Sequence, residues 1–190
     1  MIRENEQACL ASVDDREDAL VDLSRRIWEY AEPGLKEVES SRAIADFLRD
    51  EGFRVQLGVG ELPTAICAEY GSGGPVIAYL GEYDSLPRLN QVVAAHKELK
   101  YADEPEQPGH GCGHNNLGVG AAGAALLLKD AIQSGRVKGT VRFYGCPAEE
   151  TLVGKVFMVR DGAFKDVDCA MTWHSHAYNG AWGACYTCMN

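Results

Sequence analysis

The run Pro75-Val76-Ile77-Ala78-Tyr79-Leu80 is apolar at every position. A strand with one face in water alternates apolar and polar residues, so an unbroken apolar run of this length suits a central strand covered on both faces. Gly71-Ser72-Gly73-Gly74 turns the chain into it. The strand delivers Gly81-Glu82-Tyr83-Asp84-Ser85-Leu86-Pro87 at its carboxyl end, where open α/β sheets place their sites. At 190 residues, 46% hydrophobic and 24% charged, the chain is long enough for one domain with a sizeable core around such a sheet.

The flanking patterns fill in an α/β order. Residues 1–14 are polar and read as a frayed amino-terminal segment, with 15–190 forming the domain. Leu20, Leu23, Ile27, Trp28 and Ala31 follow helical spacing and predict a helix over 15–31, stopped by Glu32-Pro33-Gly34. Ser40 or Ser41 can cap a second helix to about residue 50, with Ile44, Phe47 and Leu48 on one face and Gly52 as terminator. Strands are expected over 53–57, 64–70 and 76–80. Residues 88–109 are polar and irregular, and a connection this long is usually functional or mobile. A helix over 115–134, rich in Gly and Ala, should pack close against the sheet. A strand over 139–146 ends at Pro147-Ala148-Glu149-Glu150; a short helix over 154–161 and a strand over 169–173 then lead to His174-Ser175-His176.

Between these elements lies Gly109-His110-Gly111-Cys112-Gly113-His114, with metal-binding side chains at alternate positions. In extended or irregular backbone such positions project to roughly one side, whereas a regular helix would turn the middle one away. The glycines allow a tight cradling loop, and thiolate with imidazole favours zinc or a similar ion. Taken alone, a flexible loop carrying two histidines by chance competes with this reading, since the spacing matches no zinc-finger or H-E-x-x-H pattern. Three strand ends add Glu82/Asp84, Glu149/Glu150 and His174/His176, and a sheet gathers such ends on one side. A Glu-Glu pair is ordinarily a solvated surface pair, but its place at a strand end favours a site. In extended backbone the two would point oppositely, one to a metal and one to a water. A metal lowers the pKa of water to about 7, and a nearby carboxylate can take its proton and return it to a leaving amine. His96 reads as exposed, and His176 as a loop histidine beside the site.

A net charge of −10 argues against nucleic acid or an anionic membrane as partner. No apolar leader or run of transmembrane length is visible. Seven cysteines, an odd number without an export signal, suggest reduced and mostly buried thiols in a cytoplasmic protein. The lone Cys185-x-x-Cys188 is a weak signal for a metal or redox pair.

In order, Gly81-Glu82-Tyr83-Asp84-Ser85-Leu86-Pro87, Gly109-His110-Gly111-Cys112-Gly113-His114-Asn115, Pro147-Ala148-Glu149-Glu150 and Trp173-His174 resemble the motif set of M20-type metal-dependent amidohydrolases. Within that family the resemblance is to the branch of the aminobenzoyl-glutamate hydrolases and their relatives; Pro33-Gly34 also fits. The resemblance implies a three-layer α/β catalytic domain with helices on both faces of the sheet, interrupted by a smaller lid domain. It implies two divalent ions, zinc or manganese. By position, Cys112, His114, Glu150 and His174 resemble metal ligands and Glu149 the general base and acid. Asp84 and His110 resemble residues that orient ligands, and the role of Glu82 stays open. A further histidine ligand and the lid would lie beyond residue 190, so the expectation is the amino-terminal part of the catalytic domain. Alone, such a part would hold one metal or none and be weakly active or inactive. The implied reaction is hydrolysis of the amide between an acyl or aroyl group and an amino acid. A dipeptidase acting on β-alanyl-type dipeptides and a non-catalytic metal-binding fragment are the alternatives. Partners would be a small acyl-amino acid or dipeptide and, in assembly, a second copy or another hydrolase subunit.

Overall fold

The computed structural model describes residues 11–175, with Gln7. Among them the chain runs α1 (Glu17–Tyr30), α2 (Val38–Asp50), β1 (Arg54–Leu57), a 3-10 turn (Val59–Glu61), β2 (Ile66–Ser72) and β3 (Val76–Gly81). It continues through α3 (His114–Gln133), β4 (Gly139–Gly145), α4 (Gly154–Arg160) and β5 (Cys169–Met171). The strands form one sheet in the order β1-β2-β4-β3-β5. β3 pairs in parallel with both β4 and β5, while β2 runs antiparallel to β1 and β4. The apolar strand β3 is thus interior. The parallel strands β3, β4 and β5 point their carboxyl ends to one edge, and every motif except the Cys/His loop follows one of those ends directly.

Helices cover both faces, unequally. Leu23 and Ile27 of α1, Ala43, Ile44 and Leu48 of α2 and Ala121, Ala122, Ala125 and Leu126 of α3 pack with Ile66, Ala68, Val141 and Phe143 from the sheet. Each fully buried Leu or Ile here contributes about 1.5–3 kcal/mol. On the other face Met158 of α4 packs with Leu62, Ala65, Ala78, Tyr144 and Cys146. Along β4, Val141 and Phe143 go to the first cluster and Tyr144 to the second, the period-two alternation of a strand. Helix α3 has small residues because it lies directly on the end of β3. A Cβ on Gly118 would stand 2.6 Å from the Glu82 carbonyl oxygen.

Several boundaries differ from the sequence expectation. Helix α2 starts at Val38, ahead of the serines, and its N-cap makes no side-chain cap bond. Its first turn is capped from a distance: the Glu32 carboxylate accepts from the N–H groups of Glu39 (2.9 Å) and Ser40 (2.8 Å) and from the Ser40 hydroxyl (2.7 Å). Residues 11–14 are helical rather than loose, because Ser12 and Arg16 bond the Asp130 carboxylate on α3. The long 88–109 connection is organised, not slack. Its two ends are tied by paired bonds between Leu86 and Gly109 (3.0 Å each). Buried Asn90 turns its amide onto the carbonyls of Glu104, Pro105 and Gln107, and its oxygen accepts from the Tyr101 N–H at 2.9 Å. That closure sets the Cys/His loop beside the Asp84 loop. No described helix is long and apolar enough to cross a membrane.

Candidate metal centre

His114 opens α3 and is fully buried, with Gly113 before it at φ +81 turning the chain into the helix. Its Nδ1 lies 2.9 Å from Asp84 Oδ1, leaving Nε2 as the free ring nitrogen. Nε2 has no hydrogen-bond partner, and neither does the buried Glu150 Oε1 that faces it at 3.8 Å. Glu82 Oε2 at 3.4 Å and Glu149 Oε2 at 3.9 Å complete the acidic side. On the other side Cys112 Sγ lies 3.2 Å from Nε2 of the exposed His174. Two groups of potential ligand atoms result, Cys112/His114/His174 and Glu82/His114/Glu149. Ligand bonds of about 2.0–2.3 Å place atoms on one ion roughly 3–4 Å apart, so these separations fit a divalent cation. His114 belongs to both groups but has one free nitrogen, which can bind one ion.

Burial pushes the Cys112 thiol up to about 11, reinforced by the charges of Glu150 and Glu149. Burial raises Glu150 too, and the neighbouring Asp84 and Glu149 charges add to it against the opposing His114. His114 is raised because Asp84 and Glu82 outweigh the effect of its burial. Metal ligands are the deprotonated forms, so metal binding at Cys112 would release the proton that the raised thiol pKa retains. Lys155 of α4 supplies one positive charge, bonded to Glu82 Oε1.

Two local expectations are corrected. His110, Cys112 and His114 do not share a side. Tight turns from Gly111 N–H to Gly109 O and Gly113 N–H to His110 O break the extended alternation. His110 is turned back to α1, where Nε2 bonds the Ile27 carbonyl at 3.0 Å and the ring stacks on Trp28 with centroids 6.2 Å apart; burial lowers its pKa to about 4. Nor do Glu149 and Glu150 diverge. Ala148 at φ +56 starts a turn instead of extended backbone, and both carboxylates face His114 Nε2. Of the other residues singled out, His96 is exposed beside Glu98. Cys146 is buried, but Cys169 is exposed on strand β5. His176, Cys185 and Cys188 lie outside the described residues. Glu32, Glu37, Asn90 and Lys155 carry contacts that no sequence pattern announced. A cleft of about 560 Å³ on the sheet face bearing α4 is lined by Arg54, Glu69, Arg142 and Tyr144 and shares no residue with the cluster. Its charges are already paired, Arg142 with Glu69 and Asp166 and Arg54 with Glu69.

Comparisons with known proteins point to one family. The family described as peptidase family M20/M25/M40 matches residues 78–184. A subunit of the p-aminobenzoyl-glutamate hydrolase of Escherichia coli (strain K12) is 45% identical over 159 residues, covering 84% of this chain and 33% of that protein. N-acetylcysteine deacetylase of Bacillus subtilis (strain 168) is 31% identical over 158 residues, covering 82% of this chain and 40% of its own. The crystal structure of Bacillus subtilis YXEP protein, described as a dinuclear metal-binding peptidase of the M20 family, superposes with a TM-score of 0.72 at 29% identity, covering 86% of this chain and 44% of that one. The chain therefore spans a third to two-fifths of the length of these curated relatives.

Proposed function

Since this chain belongs to peptidase family M20/M25/M40, we propose that it furnishes the metal-binding and proton-transferring residues of a metal-dependent amidohydrolase. The observation that carries the proposal is the pair of buried, unpartnered atoms, His114 Nε2 and Glu150 Oε1, facing each other across 3.8 Å with Asp84 fixing the far side of the ring. Cys112, His114, Glu150 and His174 would hold divalent metal of zinc or manganese type, and the dinuclear description of the Bacillus subtilis protein supports two ions in the whole enzyme. When bound, the metal polarises the scissile carbonyl and lowers the pKa of water.

The chain's own residues do the rest. Glu149, with a side chain 31% exposed and Oε2 3.9 Å from His114 Nε2, borders both the cluster and the solvent. It takes the proton of the attacking water and hands it to the leaving nitrogen as the amide bond breaks. Asp84 keeps the His114 proton on Nδ1, so that Nε2 presents its lone pair. The names of the relatives support a substrate in which an acyl or aroyl group is joined to an amino acid, aminobenzoyl-glutamate among them. The Escherichia coli relative is named as one subunit of its enzyme, which supports assembly with another hydrolase subunit.

The test is Glu149→Gln in the full polypeptide carrying this sequence, with N-acyl-amino acids and aminobenzoyl-glutamate as substrates. Turnover should fall by about 10²–10⁴-fold while metal content stays at the wild-type level. Turnover near wild type would refute the base assignment, and full metal binding with no hydrolysis by the wild type would favour a binding protein.

A further inference from the structure

Glu37 carries a carboxylate that the reaction above does not use, yet the side chain is completely buried. Its Oε1 accepts the Ala148 N–H at 2.7 Å, and its Oε2 accepts the Thr64 hydroxyl at 3.0 Å. No cation pairs with it among the described residues. Burial pushes its pKa up, opposed by the bonds from its own N–H, Ala148 and Thr64. Burying a carboxylate for packing alone is unfavourable, so its contribution is as an acceptor. Ala148 shows what is accepted. It sits at φ +56, a left-handed conformation disfavoured for alanine, which persists only when the surroundings hold it there.

The residue after Ala148 is Glu149, and the one after that is held in the same manner. The Glu150 N–H donates to buried Asp84 Oδ2 at 3.0 Å. Glu149 therefore sits between two backbone N–H groups, each fixed by a buried carboxylate. The Glu37 end is braced further. Thr64 offers its carbonyl to the Tyr83 hydroxyl at 2.6 Å, and fully buried Tyr83 lies between Glu82 and Asp84 in the chain. Gly34 closes the turn from below, since a Cβ there would lie 3.1 Å from the Ala148 Cα.

We propose that Glu37 is a positioning residue for Glu149: by holding the Ala148 N–H it fixes the turn that aims the Glu149 carboxylate at the metal cluster. This rests on the reading of Glu149 as the proton carrier. Misplacing a catalytic group by about 1 Å can cost 10²-fold, whereas Cys112, His114 and His174 lie outside this turn, and the ligand within it, Glu150, keeps its own anchor on Asp84.

The experiment compares Glu37→Ala, Glu37→Gln and Thr64→Val with wild type and Glu149→Gln in the full polypeptide. It reads kcat, KM, metal content and amide exchange across residues 147–152. Glu37→Ala should lower kcat by about 10–100-fold, with KM and metal content within about threefold, and should speed exchange in the segment. Glu37→Gln keeps an acceptor for Ala148 and an amide for Thr64, so it should restore both readouts to within about threefold, and Thr64→Val should do nearly as well. Should Glu37→Ala not fold, Glu37→Asp, one methylene short of Ala148, is read the same way. An unchanged kcat and unchanged exchange in a folded, metal-loaded variant overturns the proposal, as does equal loss in kcat and metal content. If Glu149→Gln turns over like wild type, the base assignment falls instead, and the exchange comparison still decides whether Glu37 holds the turn.

Discussion

Asp84 uses each of its oxygens separately. Oδ1 holds His114 Nδ1 at 2.9 Å and Oδ2 accepts the Glu150 N–H at 3.0 Å, so one side chain sets the direction of two of the proposed ligands. An asparagine has a single acceptor oxygen and cannot serve both. Asp84→Asn should weaken metal binding by about 10–100-fold, measured by competition with a chelating dye; unchanged affinity would show that the ring and the turn are oriented by other contacts. At this scale the sequence was partly legible. Cys112, His114, Glu149, Glu150 and His174 each stand at a strand end or in a glycine loop, and proximity in the fold follows from those places. The directions of the side chains were not legible, since His110 turning to Ile27 and Glu149 aligning with Glu150 depend on turns rather than on alternation. Glu37 was hidden for another reason: its partner Ala148 is 111 residues away in the chain, a contact that only the tertiary fold creates.

Among the elements, α3 carries Asp130 in its last turn, where a negative charge opposes the helix dipole. The charge persists because Ser12, Arg16 (3.1 Å) and Lys129 (3.2 Å) surround it. Burial raises this carboxyl, but the Ser12 and Lys129 bonds and the Arg16 charge outweigh that and hold it below its ordinary 3.8. A carboxyl lowered in the folded state contributes stability that is complete above its unfolded value and is lost as pH falls through the folded one. Asp130→Asn should therefore lower stability at pH 7 by about 1 kcal/mol, after allowance for partial exposure, or roughly 2–4 °C in Tm. The difference from wild type should shrink as pH drops below about 3.8. A constant difference in thermal melts from pH 7 to pH 3 would mean that the ion cluster does not fasten residues 11–16 to α3. Helices and strands were legible in the sequence because their apolar periodicity decides them. The caps were not, since α2 is capped by Glu32 from outside the helix, and neither was the order in the 88–109 loop, which rests on the paired Leu86–Gly109 bonds and on buried Asn90.

For the molecule as a whole, function follows from strand direction. Because β3, β4 and β5 are parallel, the carboxylates after β3, the glutamate pair after β4 and His174 after β5 all reach one edge, where the glycine loop and the first residue of α3 bring Cys112 and His114. The all-apolar run at β3 made this arrangement readable from the residues alone, as it placed the strand inside a covered sheet. That β2 joins antiparallel to β4 was not readable, because pairing partners leave no mark in the pattern of a single strand. The central claim is that this edge holds metal through Cys112, His114, Glu150 and His174. Its most direct test is metal content by inductively coupled plasma mass spectrometry after equilibration with zinc or manganese and removal of excess. Bound metal is expected in wild type and Glu149→Gln and should be lost from Cys112→Ala and Glu150→Ala; a folded wild type that takes up neither ion, or the two ligand variants binding as wild type does, would contradict it.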